Sequence, residues 1–248
     1  MNILVFDTET TSLDKPFCYN VGYQIVDSLS GSVLVARDYV VEQIWHNLPL
    51  FSSAYYADKR PIYVARMRAH QTIMDKFGYI CRQMNRDIKQ FEVEHAYAYN
   101  SSFDEKVFNF NCNWYKCSNP FDTVQIHDIR GYVHKFIVDD LYKSFCEKNN
   151  LFTETGNYST TAEAVYQYLF DENFTEEHTA LSDAKIETEI LLETVKCGAC
   201  IIQDEKTFRS IERKVEKTLH IRTVEQTDYY FDYERIRINK EKTEIVLR

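Results

Sequence analysis

Short apolar runs separated by turn residues mark the beginning of the chain. Residues 3–6 form a continuous apolar run, which is typical of a strand buried on both faces of a sheet. Residues 21–27 and 32–41 predict two further strands, and Leu29-Ser30-Gly31 between them predicts a hairpin turn. Residues 43–62 are aromatic and irregular, so we expect a loop there.

A helical period follows this loop. Apolar residues recur at steps of three and four from Ile73 to Phe91, which predicts one long helix with basic side chains on its opposite face. Farther along, strands are predicted at residues 95–99 and 121–126. Helices are predicted at residues 102–114, 128–148, 160–170 and 178–196. Because strands and helices alternate in this order, we expect an α/β fold with a mixed five-stranded sheet flanked by helices.

The last fifty residues have a pattern of their own. Apolar positions between Phe208 and Leu219 predict a helix, and residues 229–238 and 243–247 predict two strands. We therefore divide the chain into a main domain at residues 1–197 and a small C-terminal αββ appendage at residues 198–248. The role of the appendage stays open: it could form a third layer, a dimer contact or a substrate clamp.

The composition is that of an ordinary globular protein, with 44% hydrophobic and 27% charged residues among 248. No apolar run approaches the ~18 residues of a membrane span. The start of the chain has no basic segment before its apolar run, so no signal peptide is predicted. We expect a soluble protein in the cytoplasm of the producing or host cell, with no membrane partner.

Seven cysteines, an odd number, favour reduced thiols over a disulfide framework. Cys197 and Cys200 have the spacing of zinc ligands, and Cys112 and Cys117 are a conceivable second pair. A zinc ribbon places its two pairs close together in sequence, however, and these pairs are far apart. Ordinary buried or half-buried thiols are therefore the favoured interpretation.

The formal net charge of -9 argues against nucleic-acid binding, because phosphate contacts need Lys and Arg. The charge is uneven, since residues 59–89 hold eight basic and only two acidic side chains. This basic stretch is either a solvated helix face or a surface that contacts phosphates. Some of the acidic residues elsewhere are candidates for metal ligands, whose charge bound cations would offset.

Candidate chemistry begins with Asp7 and Glu9 at the end of the first strand. Residues at i and i+2 of a strand point to the same face, so the two carboxylates project together. Adjacent carboxylates repel each other unless a cation lies between them, and Mg²⁺ and Mn²⁺ prefer such oxygen ligands. A solvated strand end is the alternative for this pair alone.

Two further polar groups precede predicted helices. Asn100 and Asp104 lie where the 95–99 strand gives way to a helix, and His178 and Asp183 lie at the start of the last helix. A separation of five residues leaves two side chains roughly 140° apart on one helix, so His178 must lie in the preceding loop if the two are to meet. Helix-dipole pairing for each Asp and a structural role for the His are the alternatives.

Taken together, these three motifs resemble the DEDDh 3′–5′ exonucleases, the DnaQ-like branch of the ribonuclease-H-like fold. D-x-E after an apolar strand matches Asp7 to Glu9, the second motif matches Asn100 to Asp104, and H-x(4)-D matches His178 to Asp183. Phe121-Asp122-Thr123 resembles the D-T strand that commonly follows the second motif. The resemblance covers about residues 1–197 and does not extend to the appendage.

The resemblance implies a hydrolase that releases nucleoside 5′-monophosphates from the 3′ end of single-stranded DNA with two Mg²⁺ or Mn²⁺ ions. It implies that Asp7, Glu9, Asp104 and Asp183 bind the metal ions and that His178 takes a proton from the attacking water. Substrate contacts are expected along the segment after the first motif and at the second motif. The residues assigned to substrate binding are Thr8, Thr10, Leu13, Asn100 and Phe103.

Three alternatives stay open at this point. An RNA-trimming exoribonuclease is the second choice of substrate, because the same site serves relatives that act on RNA. A non-catalytic nucleic-acid or partner-binding module on the same fold is a different class, since fold alone does not grant function. The appendage is also a possible docking surface for a replication or repair protein, and the sequence does not predict an oligomeric state.

Overall fold

The computed structural model describes residues 1–198, and the predicted appendage lies outside them apart from its first residue. Six strands form one mixed sheet in the order β4-β3-β2-β1-β5-β6. Strand β2 is antiparallel to both β1 and β3, whereas β1, β5 and β6 run parallel and β3 is parallel to β4. The strands are β1 Asn2–Thr10, β2 Cys18–Asp27, β3 Val33–Val41, β4 Ile73–Asp75, β5 His95–Ala98 and β6 Gln125–Asp128.

Helices cover both faces of the sheet. They are α1 Glu42–Trp45, α2 Leu48–Phe51, α3 Arg60–Arg68, α4 Phe77–Gln90, α5 Ser101–Tyr115, α6 Ile129–Phe136, α7 Asp140–Asn149, α8 Ala162–Leu169 and α9 Ala180–Lys196. Side chains of β1 alternate between two buried cores: Leu4 and Phe6 pack with α1 to α5, while Ile3 and Val5 pack with α6 to α9. The continuous apolar run of β1 is therefore explained by burial on both faces. The predicted α/β class with a mixed sheet is confirmed.

The sheet has six strands rather than the predicted five. The additional strand, β4, lies inside the segment predicted as one long helix, and Ile73 pairs with Tyr39 of β3. Helix α4 begins only at Phe77, after Lys76 in an extended conformation. The helical spacing of apolar residues continues from β4 into α4, because the apolar residues of the strand happen to fit the period of the helix. A strand partner more than thirty positions away leaves no local signal.

The expected loop at residues 43–62 is instead a series of short helices, α1, α2 and the start of α3, with a 3-10 turn at Ala57–Lys59. Proline lies in the first turn of both α2 and α3, where its fixed φ and missing N–H are tolerated. Trp45, Phe51 and Tyr63 are buried in the first core. Trp45 and Phe51 of this segment therefore serve packing, whereas Tyr55 is 88% exposed. The helices are too short for a helical period to be visible in the sequence.

Two other boundaries differ from the prediction. The strand expected at residues 121–126 begins at Gln125, so Asp122 and Thr123 lie in the turn before β6. The helix expected at residues 128–148 is divided at residues 137–139, where Asp139 accepts a hydrogen bond from Tyr142 N and caps α7. Within residues 1–198, no helix is both long enough and apolar enough to cross a membrane.

Three of the four cysteines considered as zinc ligands from the sequence lie in the described residues. Cys112 packs in the first core, whereas Cys197 packs in the second core on the other face of the sheet. Cys200 lies outside the described residues. Cys81, Cys112 and Cys117 instead come together between α4 and the end of α5.

Candidate active site

Asp7 and Glu9 lie at the carboxyl end of β1, next to the antiparallel strand β2. Asp7 pairs with Gly22 and Glu9 pairs with Asn20. Because the side chains of a strand alternate, the two carboxylates project from the same face, as the sequence predicts. Tyr19 donates a hydrogen bond to Glu9 at 3.5 Å. The acidic pair is therefore held against the sheet rather than at a solvated strand end.

Gly22 allows a third carboxylate to join this pair. A Cβ atom on Gly22 would lie 2.0 Å from the backbone nitrogen of Leu181 and 2.2 Å from the carbonyl carbon of Ala180. The first turn of α9 therefore contacts the backbone of β2 directly, which only a glycine permits. Asp183 lies in that first turn. Oxygen atoms of Asp7, Glu9 and Asp183 all lie within 4.8 Å of one another.

The electrostatics of these three carboxylates favour a bound cation. Desolvation, followed by the neighbouring carboxylates, raises the pKa of Asp7 and of Glu9 well above their usual values. The same causes raise the pKa of Asp183 to about 10. Asp183 is 5% exposed, and its Oδ1 has no hydrogen-bond partner among residues 1–198. A buried, unpartnered carboxylate oxygen facing two other carboxylates is the donor set of a hard divalent cation.

Asp104 lies in the first turn of α5 and is 2% exposed. Desolvation raises its pKa to about 7, while a hydrogen bond donated by the Thr8 hydroxyl, at 2.6 Å, acts in the opposite direction. The carboxylate of Asp104 is close enough to raise the pKa of Asp7 by repulsion. The second predicted motif is therefore brought to the same end of β1 as the first.

His178 precedes α9 in a left-handed backbone conformation, with φ of 56°. One ring nitrogen of His178 lies within 4.8 Å of carboxylate oxygens of Glu176 and Asp183. The imidazole is therefore at the edge of the carboxylate cluster. The side chain is 29% exposed. Desolvation lowers the pKa of His178. At neutral pH the imidazole is therefore uncharged and able to accept a proton.

Two carboxylates that the sequence analysis did not select also belong to this cluster. Desolvation raises the pKa of Glu176 to about 7 and that of the fully buried Glu187 well above its usual value. Glu187 accepts a hydrogen bond from the backbone nitrogen of Tyr99, which ties α9 to the end of β5. Its position four residues after Asp183, on the same helix face, was a usable signal. Glu176 had no comparable signal, because it lies in an irregular segment.

The loop that carries His178 is fixed from both sides. Arg66 of α3 donates hydrogen bonds to Glu177 at 2.6 Å and to the Thr179 hydroxyl at 2.9 Å. Asn20 of β2 accepts a hydrogen bond from the backbone nitrogen of Ala180 at 2.8 Å. The residues immediately before and after His178 are therefore anchored to the other strands and helices of the first core.

The residues predicted to contact substrate differ in their exposure and conformation. Thr8 is buried with its hydroxyl engaged by Asp104, so it does not offer a free side chain. Thr10 is half-buried, and Leu13 is 72% exposed in the loop after β1. Asn100 adopts a left-handed conformation before α5. Phe103 packs partly against the first core, so only part of its ring faces solvent.

Comparison with known proteins finds similarity in structure but not in sequence. No protein-family model and no curated protein sequence matches the chain. The structure is similar to the nuclease domain of 3′hExo, described as a DEDDh family member bound to rAMP, with 13% identity and a TM-score of 0.52. That match covers 79% of this chain and 92% of the other.

Two further structures are similar at 12% identity. A full-length 3′-exonuclease matches with a TM-score of 0.52, over 79% of this chain and 61% of the other. A 3′-exonuclease described as recognising the 3′ end of a histone mRNA stem-loop matches with a TM-score of 0.50, over 79% and 82%. The sheet order, the antiparallel β2 and these three matches lead to one conclusion: residues 1–198 have the ribonuclease-H-like fold of the DEDDh 3′ exonucleases.

Proposed function

We propose that this protein is a metal-dependent 3′–5′ exonuclease that hydrolyses phosphodiester bonds at the 3′ end of single-stranded nucleic acid. The observation that carries the proposal is the convergence of Asp7, Glu9 and Asp183 within 4.8 Å, with His178 beside Asp183. Each of these residues belongs to a motif that resembles the DEDDh exonucleases. The fold that this chain shares with the solved 3′-exonuclease structures supports the same function.

The residues present fit a pair of Mg²⁺ or Mn²⁺ ions. Asp7, Glu9 and Asp183 would hold them, with Asp104 at the neighbouring end of α5, and Asp183 Oδ1 is otherwise unpartnered within the described part of the chain. When bound, such ions stabilise negative charge on the attacking and leaving oxygens of a phosphodiester. Repulsion among the buried carboxylates would be relieved at the same time, because cations balance their charge.

The imidazole of His178 is suited to accept a proton from the attacking water. Its lowered pKa keeps it uncharged at neutral pH, and its position beside Asp183 places it at the edge of the cluster. Accepting the proton produces an imidazolium next to several carboxylates, which stabilise it. The 29% exposure of the side chain leaves a route for the proton to reach solvent.

Single-stranded DNA is the leading substrate and single-stranded RNA the second. Two of the structures similar in fold are described with rAMP and with a histone mRNA stem-loop, which supports testing RNA on equal terms. Recognition of RNA would require a contact to the 2′-hydroxyl. Both substrates present the same phosphodiester to the carboxylate cluster, so the chemistry does not depend on the choice.

The test uses the full-length protein with DNA and RNA strands of one sequence, each labelled at the 5′ end. We expect a ladder that shortens from the 3′ end with Mg²⁺ or Mn²⁺, disappears with EDTA and is absent for Asp7→Ala. A strand blocked at its 3′ end should be resistant, which establishes the direction. Failure of folded wild-type protein to shorten either strand with either metal would overturn the proposal and favour a non-catalytic binding module.

A further inference from the structure

A second group of potential metal ligands lies apart from the carboxylate cluster. The Sγ atoms of Cys81, Cys112 and Cys117 all lie within 4.8 Å of one another, and those of Cys81 and Cys112 are 4.0 Å apart. Cys81 and Cys112 are buried and Cys117 is half-buried. The three thiols belong to α4, to α5 and to the turn after α5, so the fold rather than a local motif assembles them.

The backbone of two segments is shaped around this group. At the end of α5, Lys116 adopts a left-handed conformation with φ of 54°, and Cys117 N donates a hydrogen bond to Cys112 O. This turn folds Cys117 back beside Cys112. On α4, a Cβ atom at Gly78 would lie 3.4 Å from the Cβ of Cys117, so the turn packs against the bare backbone of Gly78.

The spacing of the sulfur atoms suits a zinc ion. With a Zn–S bond of about 2.3 Å, two sulfur ligands of a tetrahedral site lie about 3.8 Å apart. The 4.0 Å separation of Cys81 and Cys112 is close to that value, and the third thiol needs only a small side-chain movement. Thiolates select zinc and other soft or borderline cations over Mg²⁺ and Mn²⁺.

One basic and one acidic side chain act on the charge of this group. Three thiolates and one Zn²⁺ carry a net charge of -1, and the guanidinium of Arg82 interacts electrostatically with Cys117. Both Arg82 Nη1 and Cys117 Sγ lie 3.9 Å from the point that a Gly78 Cβ would occupy. The carboxylate of Asp122 also interacts electrostatically with Cys112, so Arg82 offsets part of the negative charge, which would otherwise be costly beside a buried core.

We propose that Cys81, Cys112 and Cys117 bind one Zn²⁺ ion that links α4 to the end of α5, with water as the fourth ligand. Because Cys117 is half-buried, solvent reaches the group and can supply that water. On binding, each thiol releases its proton to solvent and forms one bond to the metal. No oxidant is needed, and the site does not depend on the proposed nuclease activity.

Co²⁺ is the probe for this site, because thiolate ligands give it a near-ultraviolet charge-transfer absorption that carboxylate ligands do not. The full-length protein is reduced with a phosphine, stripped of metal and titrated with Co²⁺ and then Zn²⁺. We expect the absorption to reach its maximum at one equivalent and to disappear as Zn²⁺ displaces Co²⁺. Asp7→Ala should leave it unchanged, which separates this site from the carboxylate cluster.

Cys117→Ser is the decisive variant, because its half-buried side chain allows the protein to fold without the thiol. Loss of a ligand should weaken Zn²⁺ binding by at least about tenfold, the lower end of the effect known for residues that only orient a ligand. Cys146→Ser, at a buried thiol in the other core, is the matched control and should bind as the wild type does.

Three results would overturn the zinc site. The first is a folded, reduced protein that shows no charge-transfer absorption with Co²⁺. The second is a Cys117→Ser variant that binds Co²⁺ and Zn²⁺ as tightly as the wild type. The third is purified protein in which Cys81 and Cys112 form a disulfide and no metal is bound, because the group would then be a redox pair.

Discussion

The ring of Tyr56 stacks on the imidazole of His178, with centroids 4.2 Å apart and planes inclined by only 11°. Tyr56 lies between α2 and the 3-10 turn, in the segment whose Trp45 and Phe51 pack in the first core. The stacking fixes one face of the imidazole. One ring nitrogen of His178 lies within 4.8 Å of carboxylate oxygens of Glu176 and Asp183.

Replacement of Tyr56 should therefore change turnover through the orientation of His178. An aromatic pair contributes about 0.5–1.5 kcal/mol beyond its buried area, which corresponds to about 2–10-fold in rate. We expect Tyr56→Ala to lower kcat by about that factor and Tyr56→Phe, which keeps the ring, to stay close to wild type. Steady-state kinetics on a labelled strand measure both. Equal loss in the two variants would instead indicate a role for the hydroxyl.

Arg66 should act on the same residue through the backbone. Arg66→Gln removes the hydrogen bonds to Glu177 and Thr179 on either side of His178, so we expect kcat to fall at least about tenfold with little change in KM. Arg66→Lys should recover only part of the loss, because an ammonium lacks the planar fork that reaches both partners. Arg68→Gln, at an exposed position on the same helix, is the control.

If Arg66→Gln and Arg68→Gln reduced kcat alike, the positioning role would be wrong and the effect would reflect the charge of the helix. Thermal unfolding is measured in parallel, because Arg66 also lies 3.8 Å from the buried Asp38 and its removal leaves that carboxylate less well balanced. A stability loss of about 1–3 kcal/mol is compatible with a folded protein at assay temperature.

Part of this site was accessible from sequence because the relevant geometry is local. The spacing of Asp7 and Glu9 follows from the two-residue period of a strand, and His178 had to precede the helix of Asp183 because five residues do not share a helix face. Strand β4 and the approach of Gly22 to α9 were not accessible. Both depend on contacts between segments that are far apart in the chain, for which neither partner carries a local pattern.

The pH dependence of the reaction should report His178. Because desolvation lowers its pKa below the usual 6.5, the imidazole is uncharged above that value and becomes unable to accept a proton only in more acidic solution. With saturating Mg²⁺, we expect kcat to rise with pH and to level off by about pH 7. His178→Gln should lower kcat by about 10²–10⁴-fold and remove the acidic limb of the profile.

A His178→Gln variant that retained most of the wild-type rate would exclude the proposed role of the imidazole as the proton acceptor. Rates are compared at several Mg²⁺ concentrations, since the carboxylates also take up protons in acid. If the acidic limb of the pH profile shifts with Mg²⁺ concentration, it reports the carboxylates. If it does not shift, it reports His178.

The carboxylate cluster should make the metal-free protein less stable as the pH rises. Asp183 has a pKa of about 10 when folded and an ordinary value near 3.8 when unfolded, so the folded state binds more protons between these values. The free energy of unfolding therefore decreases with increasing pH across this window. Saturating Mg²⁺ or Mn²⁺ should reduce the decrease, because bound cations favour the ionised form. Thermal unfolding at several pH values, with and without the metal ion, measures this decrease in stability.

Asp183→Asn tests the origin of that instability. The amide keeps the shape of the side chain without its charge, so at pH 8 the metal-free variant should be more stable than wild type, on the order of 1–3 kcal/mol. Each kcal/mol corresponds to about 2–4 °C in Tm for a chain of this size. Asp14→Asn, at an exposed position, should change little. A lower Tm for Asp183→Asn would mean that the carboxylate stabilises the metal-free fold.

Gly22→Ala should damage both the fold and the site. Its Cβ atom would lie 2.0 Å from Leu181 N, so the first turn of α9 would have to move by about 1 Å, and Asp183 would move with it. We expect a stability loss of about 1–3 kcal/mol, the range typical of overpacking. Because a displacement of about 1 Å can cost about 10²-fold in rate, we expect kcat to fall by a similar factor.

Gly78→Ala is the matched control, because its Cβ atom would meet no atom closer than 3.4 Å and lies in the first turn of α4. Alanine is a better helix former than glycine and adds only an ordinary contact here, so this variant should be about as stable as wild type. Circular dichroism and strand-shortening assays are carried out on both variants. If Gly22→Ala retained wild-type stability and activity, β2 and α9 could separate without disturbing Asp183, and the close contact at Gly22 would not position the metal ligands.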